Sequence, residues 1–284
     1  MPVLGVTGAT GQLGRLTIDS LLAAGATAAD VVAIARDSDR ARELARLGVQ
    51  VRQGDYDDPA SLPAAVAGLD ALFLISGNAV GQRVPQHAAV IDAARGAGVG
   101  RVVYTSAPRA DVTGLILAPE HLATERLLQE SGLRYTILRN GWYFENYTAQ
   151  IPQLLQTGTL LHATRGHRLA AAARADFAAA AATVLTGAGH DNQIYELAGD
   201  GFTMDEFAAA VSEETGTTVT AREVSGPELI AALESAGVPA SDARFVASLD
   251  ESIARDELGG DPATLKRLVG RELIPLREAI RTAV

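Results

Sequence analysis

The sequence predicts an α/β fold, a doubly wound parallel sheet wrapped by helices, followed by a smaller and mostly helical C-terminal lobe. Three observations predict it. Through the first 140 residues short β-branched runs alternate with longer amphipathic runs, which is the pattern of βα units. The strand candidates are nearly continuous apolar runs, as expected when helices cover both faces of a sheet. A glycine-rich turn directly follows the first strand and directly opens the first helix.

In chain order, strands are expected at 3–6, 31–35, 49–53, 71–75, 101–105 and 135–139. Helices are expected at 12–24, 85–97 and 119–131, stopped by Gly25, Gly98 and Gly132, each free to take the left-handed conformation that closes a helix. Past Tyr147 the pattern changes to a helical run at 151–155, a strand at 159–161, a small-residue helix at 176–185 and a strand at 193–197 that returns to the sheet. Thr203-Met204-Asp205-Glu206 reads as a capping box, in which Thr203 and Glu206 satisfy backbone donors reciprocally. A strand at 218–223 and helices near 226–236, 241–258, 262–268 and 275–282 complete the chain. The expected organisation is a nucleotide-binding domain at 1–150 with return elements at about 174–199, and a smaller substrate-side lobe from 151–173 and 200–284.

Composition excludes several classes of function. The 284 residues are 48% hydrophobic and 20% charged, enough for a sizeable core. A net charge of −10 repels phosphate backbones and anionic lipid, so neither nucleic acid nor a membrane surface is expected as a partner. There are no cysteines, which removes disulfides, thiolate metal sites and cysteine nucleophiles. No secretory signal or spanning segment is read, and a cytoplasmic location is the expectation. The five histidines show no metal-ligand spacing, and no Gly-x-Ser-x-Gly elbow appears.

The chemistry-bearing motif is Gly8-Ala9-Thr10-Gly11-Gln12-Leu13-Gly14. A pyrophosphate needs several backbone N–H groups pointing one way and no Cβ in its path. Gly8 serves the tight turn, Gly11 lets the backbone approach the phosphates, and Gly14 allows close packing at the start of the helix. The spacing is one residue longer than the dinucleotide fingerprint, but the setting, a strand–turn–helix within a βαβ unit of about thirty residues, is the one it demands. The end of the second strand decides between cofactors, since an arginine there clamps a 2′-phosphate and an acid accepts from a 2′-hydroxyl. Arg36 occupies it and favours NADPH, while Asp37 follows and offers the other choice. Asp55 is placed to accept from the adenine amine or to serve a plain turn. Ser76 and Gly77, after the fourth strand, fall beside the nicotinamide ribose by the same edge rule.

With Val6-Thr7 ahead of that turn, Arg36, and Leu138-Arg139-Asn140-Gly141-Trp142-Tyr143, the chain resembles the NmrA-like atypical short-chain dehydrogenases, and within them the bacterial quinone-reducing branch. Gly81-Gln82-Arg83-Val84-Pro85-Gln86-His87, Glu120-His121 and Tyr195-Glu196-Leu197-Ala198-Gly199-Asp200 extend the resemblance along nearly the whole chain. The resemblance implies a pyrophosphate held by Gly8, Ala9, Thr10, Gly11, Gln12 and Leu13, and a 2′-phosphate held by Arg36. It places Leu74, Ile75 and Ser76 at the ribose, and Asn140, Gly141, Trp142, Tyr143, Phe144 and Glu145 on the nicotinamide side. It also implies a monomer or homodimer that reduces a quinone bound between the lobes, with a non-catalytic NADP(H)-sensing regulator as the alternative.

One departure matters. Ordinary short-chain dehydrogenases carry a Tyr-x-x-x-Lys pair, and counting back from Glu125 those positions hold Leu117 and His121. A quinone tolerates the loss, because its reduced anion can take a proton from water or a weak donor. His121 is read either as that donor or as a helix-surface histidine. Tyr104 and Ser106, at the end of the fifth strand, serve substrate orientation or strand-end packing. Asn140, Trp142, Tyr143, Phe144 and Asn146 form an aromatic and amide cluster at the ligand-binding edge, expected to wall both cofactor and quinone.

Overall fold

The computed structural model describes residues 2–284. In chain order, β1 (Leu4–Val6) leads to α1 (Gln12–Ala23), β2 (Val31–Ala35) to α2 (Arg42–Arg46), and β3 (Gln50–Gln53) to α3 (Leu62–Val66). β4 (Ala71–Leu74) leads to α4 (Arg83–Gly96), β5 (Arg101–Ser106) to α5 (Ala118–Glu130), and β6 (Arg134–Asn140) to α6 (Glu145–Thr148) and α7 (Ile151–Thr157). Then follow β7 (Thr159–His162), α8 (Arg174–Thr186), β8 (Gln193–Leu197), α9 (Met204–Thr215), β9 (Thr220–Glu223), α10 (Gly226–Ser235), α11 (Ala240–Ala254), α12 (Ala263–Val269) and α13 (Leu276–Ala283).

Seven strands form one sheet in the order β3-β2-β1-β4-β5-β6-β8, and every pairing is parallel. This is the doubly wound order. The chain winds outward from β1 to β3, then crosses to β4 on the other side of β1, so the crevice at the carboxyl ends of β1 and β4 is the topological switch point. Val6 is in register with Ala33 on one side and Phe73 on the other. Every residue of β1, β2, β4 and β5 is buried, as the unbroken apolar runs require, whereas the edge strands β3 and β8 are partly exposed.

Two apolar layers sandwich the sheet. On one face Ile18 and Leu21 of α1, Phe177 and Val184 of α8 and Leu265 of α12 cover Val6 and Phe73. On the other, Leu62, Val90, Ile91 and Leu128 cover Ile34, Leu72 and Val102. α8 is buried nearly all round, which its alanines permit by letting it lie close to its neighbours. A third cluster, away from the sheet, gathers Phe144, Phe202, Phe207, Leu249, Ile253 and Ile280. Its rings pack edge to face, Tyr147 on Phe202 at 5.2 Å between centroids.

Gly25, Gly98 and Gly132 all take the left-handed conformation just past α1, α4 and α5. The capping box on Thr203 and Glu206 forms as expected. Two boundary differences have identifiable causes. α4 starts at Arg83 instead of 85, since Pro85 falls in the first turn, where no intrahelical N–H bond is lost. α11 stops at Ala254, short of 258, because Asp256 turns left-handed with φ 58°. β7 and β9 pair in parallel with each other as a separate two-stranded sheet. Among the described residues no helix is long and apolar enough to cross a membrane.

Candidate cofactor site

A cavity of about 600 Å³ opens at the switch point, and its floor is the glycine turn. Gly8 sits at φ 57°, a conformation that disfavours any side chain. Its carbonyl accepts from Gly11 N–H at 2.8 Å and closes the turn. A Cβ on residue 14 would lie 2.4 Å from the Gly8 carbonyl oxygen and 2.8 Å from the Ala9 Cα, so only glycine lets α1 begin this close to the turn. Gly11 caps α1 without a side-chain hydrogen bond, and no acid occupies the first turn. The opening amides of α1 are therefore left for an anion, at the positive end of the helix.

Thr7 ties this floor to the neighbouring strand. Its hydroxyl donates to the Phe73 carbonyl at 3.0 Å and accepts from Ile75 N–H at 2.9 Å. Tyr56 Oη closes the same knot, lying 2.5 Å from Thr7 Oγ1 and 2.8 Å from the Ile75 carbonyl. Burial pushes the Tyr56 phenol well above its usual pKa, so it remains a donor.

At the outer end Arg36 and Arg40 both line the cavity. Asp37 is turned back on its own loop, where Oδ1 accepts from the N–H of Asp39 at 2.9 Å and of Arg40 at 3.4 Å. The choice left open between Arg36 and Asp37 thus falls to a pair of guanidinium groups. Asp55 lines the cavity and also serves its turn, accepting from Asp57 N–H at 3.1 Å.

Of the residues expected around the cofactor, Gly8, Thr10, Gly11, Gln12, Leu13, Arg36, Ile75, Ser76 and Tyr143 line this cavity. Ala9 and Leu74 are fully buried beneath it. The others after β6 serve neighbouring structure. Gly141 N–H donates to the Leu197 carbonyl at 2.7 Å, and a Cβ there would come within 2.9 Å of that oxygen. Trp142 and Phe144 pack into the third apolar cluster. The Glu145 carboxylate accepts from Arg174 N–H at 2.9 and 3.0 Å, closing the start of α8. Asn140 is buried with Nδ2 3.4 Å from Tyr143 Oη, and its Oδ1 has no partner. Burial raises the Tyr143 phenol pKa, so it too stays protonated.

Tyr56 lies beside Asp55 at the edge expected for the adenine, whereas sequence reasoning missed Arg40 and, above all, Arg174. The Arg174 guanidinium carbon lies 4.6 Å from the centroid of the Tyr143 ring, and the group also bonds Gln12 Oε1. It thereby bridges α8 to the glycine turn. Arg174 opens α8, where the helix dipole disfavours a cation, and that anomaly was the available signal.

The residues in place of a Tyr/Lys pair do not reach the cavity lining. His121 is buried with Nδ1 2.8 Å from Tyr104 Oη, and burial together with the charge of Arg83 lowers its pKa to about 3. It is neutral at ordinary pH and no proton donor of the imidazolium kind. Ser106 Oγ donates to Glu125 at 2.5 Å, and Glu125 takes both Nε and Nη2 of Arg139 at 2.9 and 2.8 Å. Both side chains at the end of β5 are therefore committed to internal bonds.

The residues present fit a dinucleotide bearing an extra phosphate. The glycine turn, the unpaired amides that open α1 and the two arginines at the outer end match its phosphates.

Comparison with known proteins agrees. The NAD(P)H-binding family profile matches residues 8–188. The chain is 44% identical to quinone oxidoreductase 2 of Escherichia coli, over 98% of this chain and 97% of that one. It is 33% identical to an NmrA-like family domain-containing oxidoreductase of Aspergillus flavus, over 97% and 93% of the two chains. Among solved structures, NADPH-dependent quinone oxidoreductase from Escherichia coli complexed with NADPH superposes with a TM-score of 0.94 at 44% identity, covering 98% of this chain and 99% of that one.

Proposed function

The chain belongs to the NAD(P)H-binding family, among its NmrA-like members, and from that premise we infer an NADPH-dependent quinone oxidoreductase acting at the switch-point cavity. The observation that carries the reading is the glycine turn with the Arg36 and Arg40 pair lining one cavity, in a chain 44% identical over 98% of its length to a quinone oxidoreductase. The relatives reported are oxidoreductases, which favours catalysis over a purely sensing role.

The amides that open α1 hold the pyrophosphate, and Arg36 with Arg40 holds the 2′-phosphate. Tyr143, with Arg174 stacked on its ring, walls the inner end. Bound there, NADPH supplies a hydride, that is, both electrons and one of the two hydrogens needed to turn a quinone into a hydroquinone. The protein's part is orientation and exclusion of water, because an acceptor that becomes aromatic needs no strong acid. Tyr143 Oη remains a neutral hydrogen-bond donor at the wall, and the one proton that completes the hydroquinone comes from solvent. The quinone is placed between the sheet domain and the C-terminal lobe, in a cytoplasmic monomer or homodimer.

Pure protein mixed with NADPH and benzoquinone should lose nicotinamide absorbance in step with hydroquinone formation. Cofactor shown by calorimetry to be bound, with no turnover above the uncatalysed rate, would overturn the reading.

A further inference from the structure

The Gly81 to His87 segment supplies buried polar side chains of α4 to a single glycine of the cavity wall. Gly77 lines the cavity, donates its N–H to His87 Nε2 at 3.0 Å and receives Arg83 Nε on its carbonyl at 2.5 Å. Arg83 is held in turn by Glu120 at 3.0 Å, whose other oxygen accepts from Gly81 N–H at 2.8 Å. Both peptide groups of Gly77 and the far end of its loop are thus tied to α4 and α5. A Cβ on residue 77 would lie 3.0 Å from Gln86 Oε1, so the loop also lies tight on the helix.

The tautomer of His87 follows from its partners. Thr124 Oγ1 gives its proton to the Glu120 carbonyl at 2.9 Å, which leaves it to accept from His87 Nδ1–H, also at 2.9 Å. Gly77 N–H can only donate, so Nε2 carries the lone pair. We propose that His87 is a positioning residue: locked as the Nδ1–H tautomer by Thr124, it accepts the Gly77 amide and holds the 76–79 wall in the shape that binds the cofactor. This rests on the cavity being the NADPH site. Burial keeps the ring neutral and the charge of Arg83 on its own helix opposes a second cation, while the Tyr56 and Tyr104 rings pack at 6.1 and 5.4 Å and His121 faces it from α5. A protonated His87 would point a second N–H at the Gly77 amide and push the wall outward.

Two substitutions separate positioning from packing. His87→Gln keeps an acceptor near the place of Nε2, whereas His87→Leu keeps bulk and loses the acceptor. H87L is expected to weaken NADPH binding by about tenfold in calorimetry, the scale of one unsatisfied buried amide, while H87Q stays within about twofold of wild type. Amide exchange at Gly77, read by NMR on cofactor-free protein, should be fast in H87L and protected in H87Q and wild type. Equal affinities for H87L and wild type, or H87Q no better than H87L, would overturn the proposal. Should H87L fail to fold, Thr124→Val removes the tautomer lock while keeping the shape of the side chain. It should weaken NADPH severalfold and move the His87 Nε2 nitrogen resonance away from the lone-pair position; an unchanged resonance and affinity would contradict the proposal. Wild-type protein that protects Gly77 yet fails to bind NADPH would instead refute the cavity reading.

Discussion

Arg174 stands where a helix tolerates a cation least, in the first turn of α8. It is held there by the Tyr143 ring, Gln12 and the Glu145 carboxylate that caps its own amide. A bound pyrophosphate would remove the remaining electrostatic cost. Arg174→Leu is therefore expected to raise KM for NADPH about tenfold while changing kcat little, since uniform binding is lost without loss of a transition-state contact. Steady-state kinetics would check it, and an unchanged KM would remove Arg174 from the site. Three other buried groups make stability depend on pH with opposing signs. His87 and His121 are lowered from 6.5 to about 4 and about 3, so between these values the unfolded chain binds protons that the folded chain refuses. Their stabilisation is full above pH 6.5 and is lost as pH falls toward 4, at about 1.4 kcal/mol per unit for each. Asp250, raised from 3.8 to about 6 by burial, acts the other way: its stabilisation is full below 3.8 and lost as pH rises through 6. Asp250→Asn, which keeps an acceptor for Ala163 N–H, should then stabilise the protein at neutral pH by about 1–3 kcal/mol in urea unfolding. A destabilised D250N would show that the carboxylate is paired more fully than its single backbone bond implies.

The glycine turn shows most directly how an element makes a site. Gly14→Ala places a Cβ 2.4 Å from the Gly8 carbonyl, and backbone cannot yield as a flexible side chain can. The variant should lose NADPH binding and lower Tm by several degrees, the scale of about 1–3 kcal/mol of overpacking. Differential scanning calorimetry with and without cofactor would show both effects; an unshifted Tm would mean that α1 can slide off the turn. That element was legible because its function demands particular residues at fixed spacing. The central strands were legible because burial on both faces leaves an unbroken apolar run, as in Val31–Ala35. β7 and β9 were visible as strands but not as partners, since nothing in either run names what it pairs with across nearly sixty residues of chain. The end of α11 escaped because Asp256, a non-glycine in the left-handed region, carries no local mark of it.

Across the whole molecule, the parts of the cavity nearest the first βαβ unit could be read and the parts brought in from afar could not. Gly8, Gly11 and Arg36 belong to one continuous motif. Arg174 lies 162 residues from Gln12 in sequence and reaches it only because α8 packs beside α1 on the same sheet face. The residues from Asn140 to Glu145 arrive at the right edge of the sheet, but they divide the work: Tyr143 faces the cavity, Trp142 and Phe144 anchor the C-terminal cluster, and Glu145 seats α8. Position at a ligand-binding edge thus fixes which loop matters without fixing which side chains face inward. NADPH, recognised through Arg36 at one end of this cavity, is proposed to deliver its hydride to a quinone at the other. The most direct test is kcat/KM for benzoquinone reduction with NADPH and with NADH, in wild type and in Arg36→Glu. Wild type should prefer NADPH at least about tenfold, and R36E should abolish that preference mainly by weakening NADPH. No turnover with either cofactor, or an R36E variant that loses both equally, would contradict it.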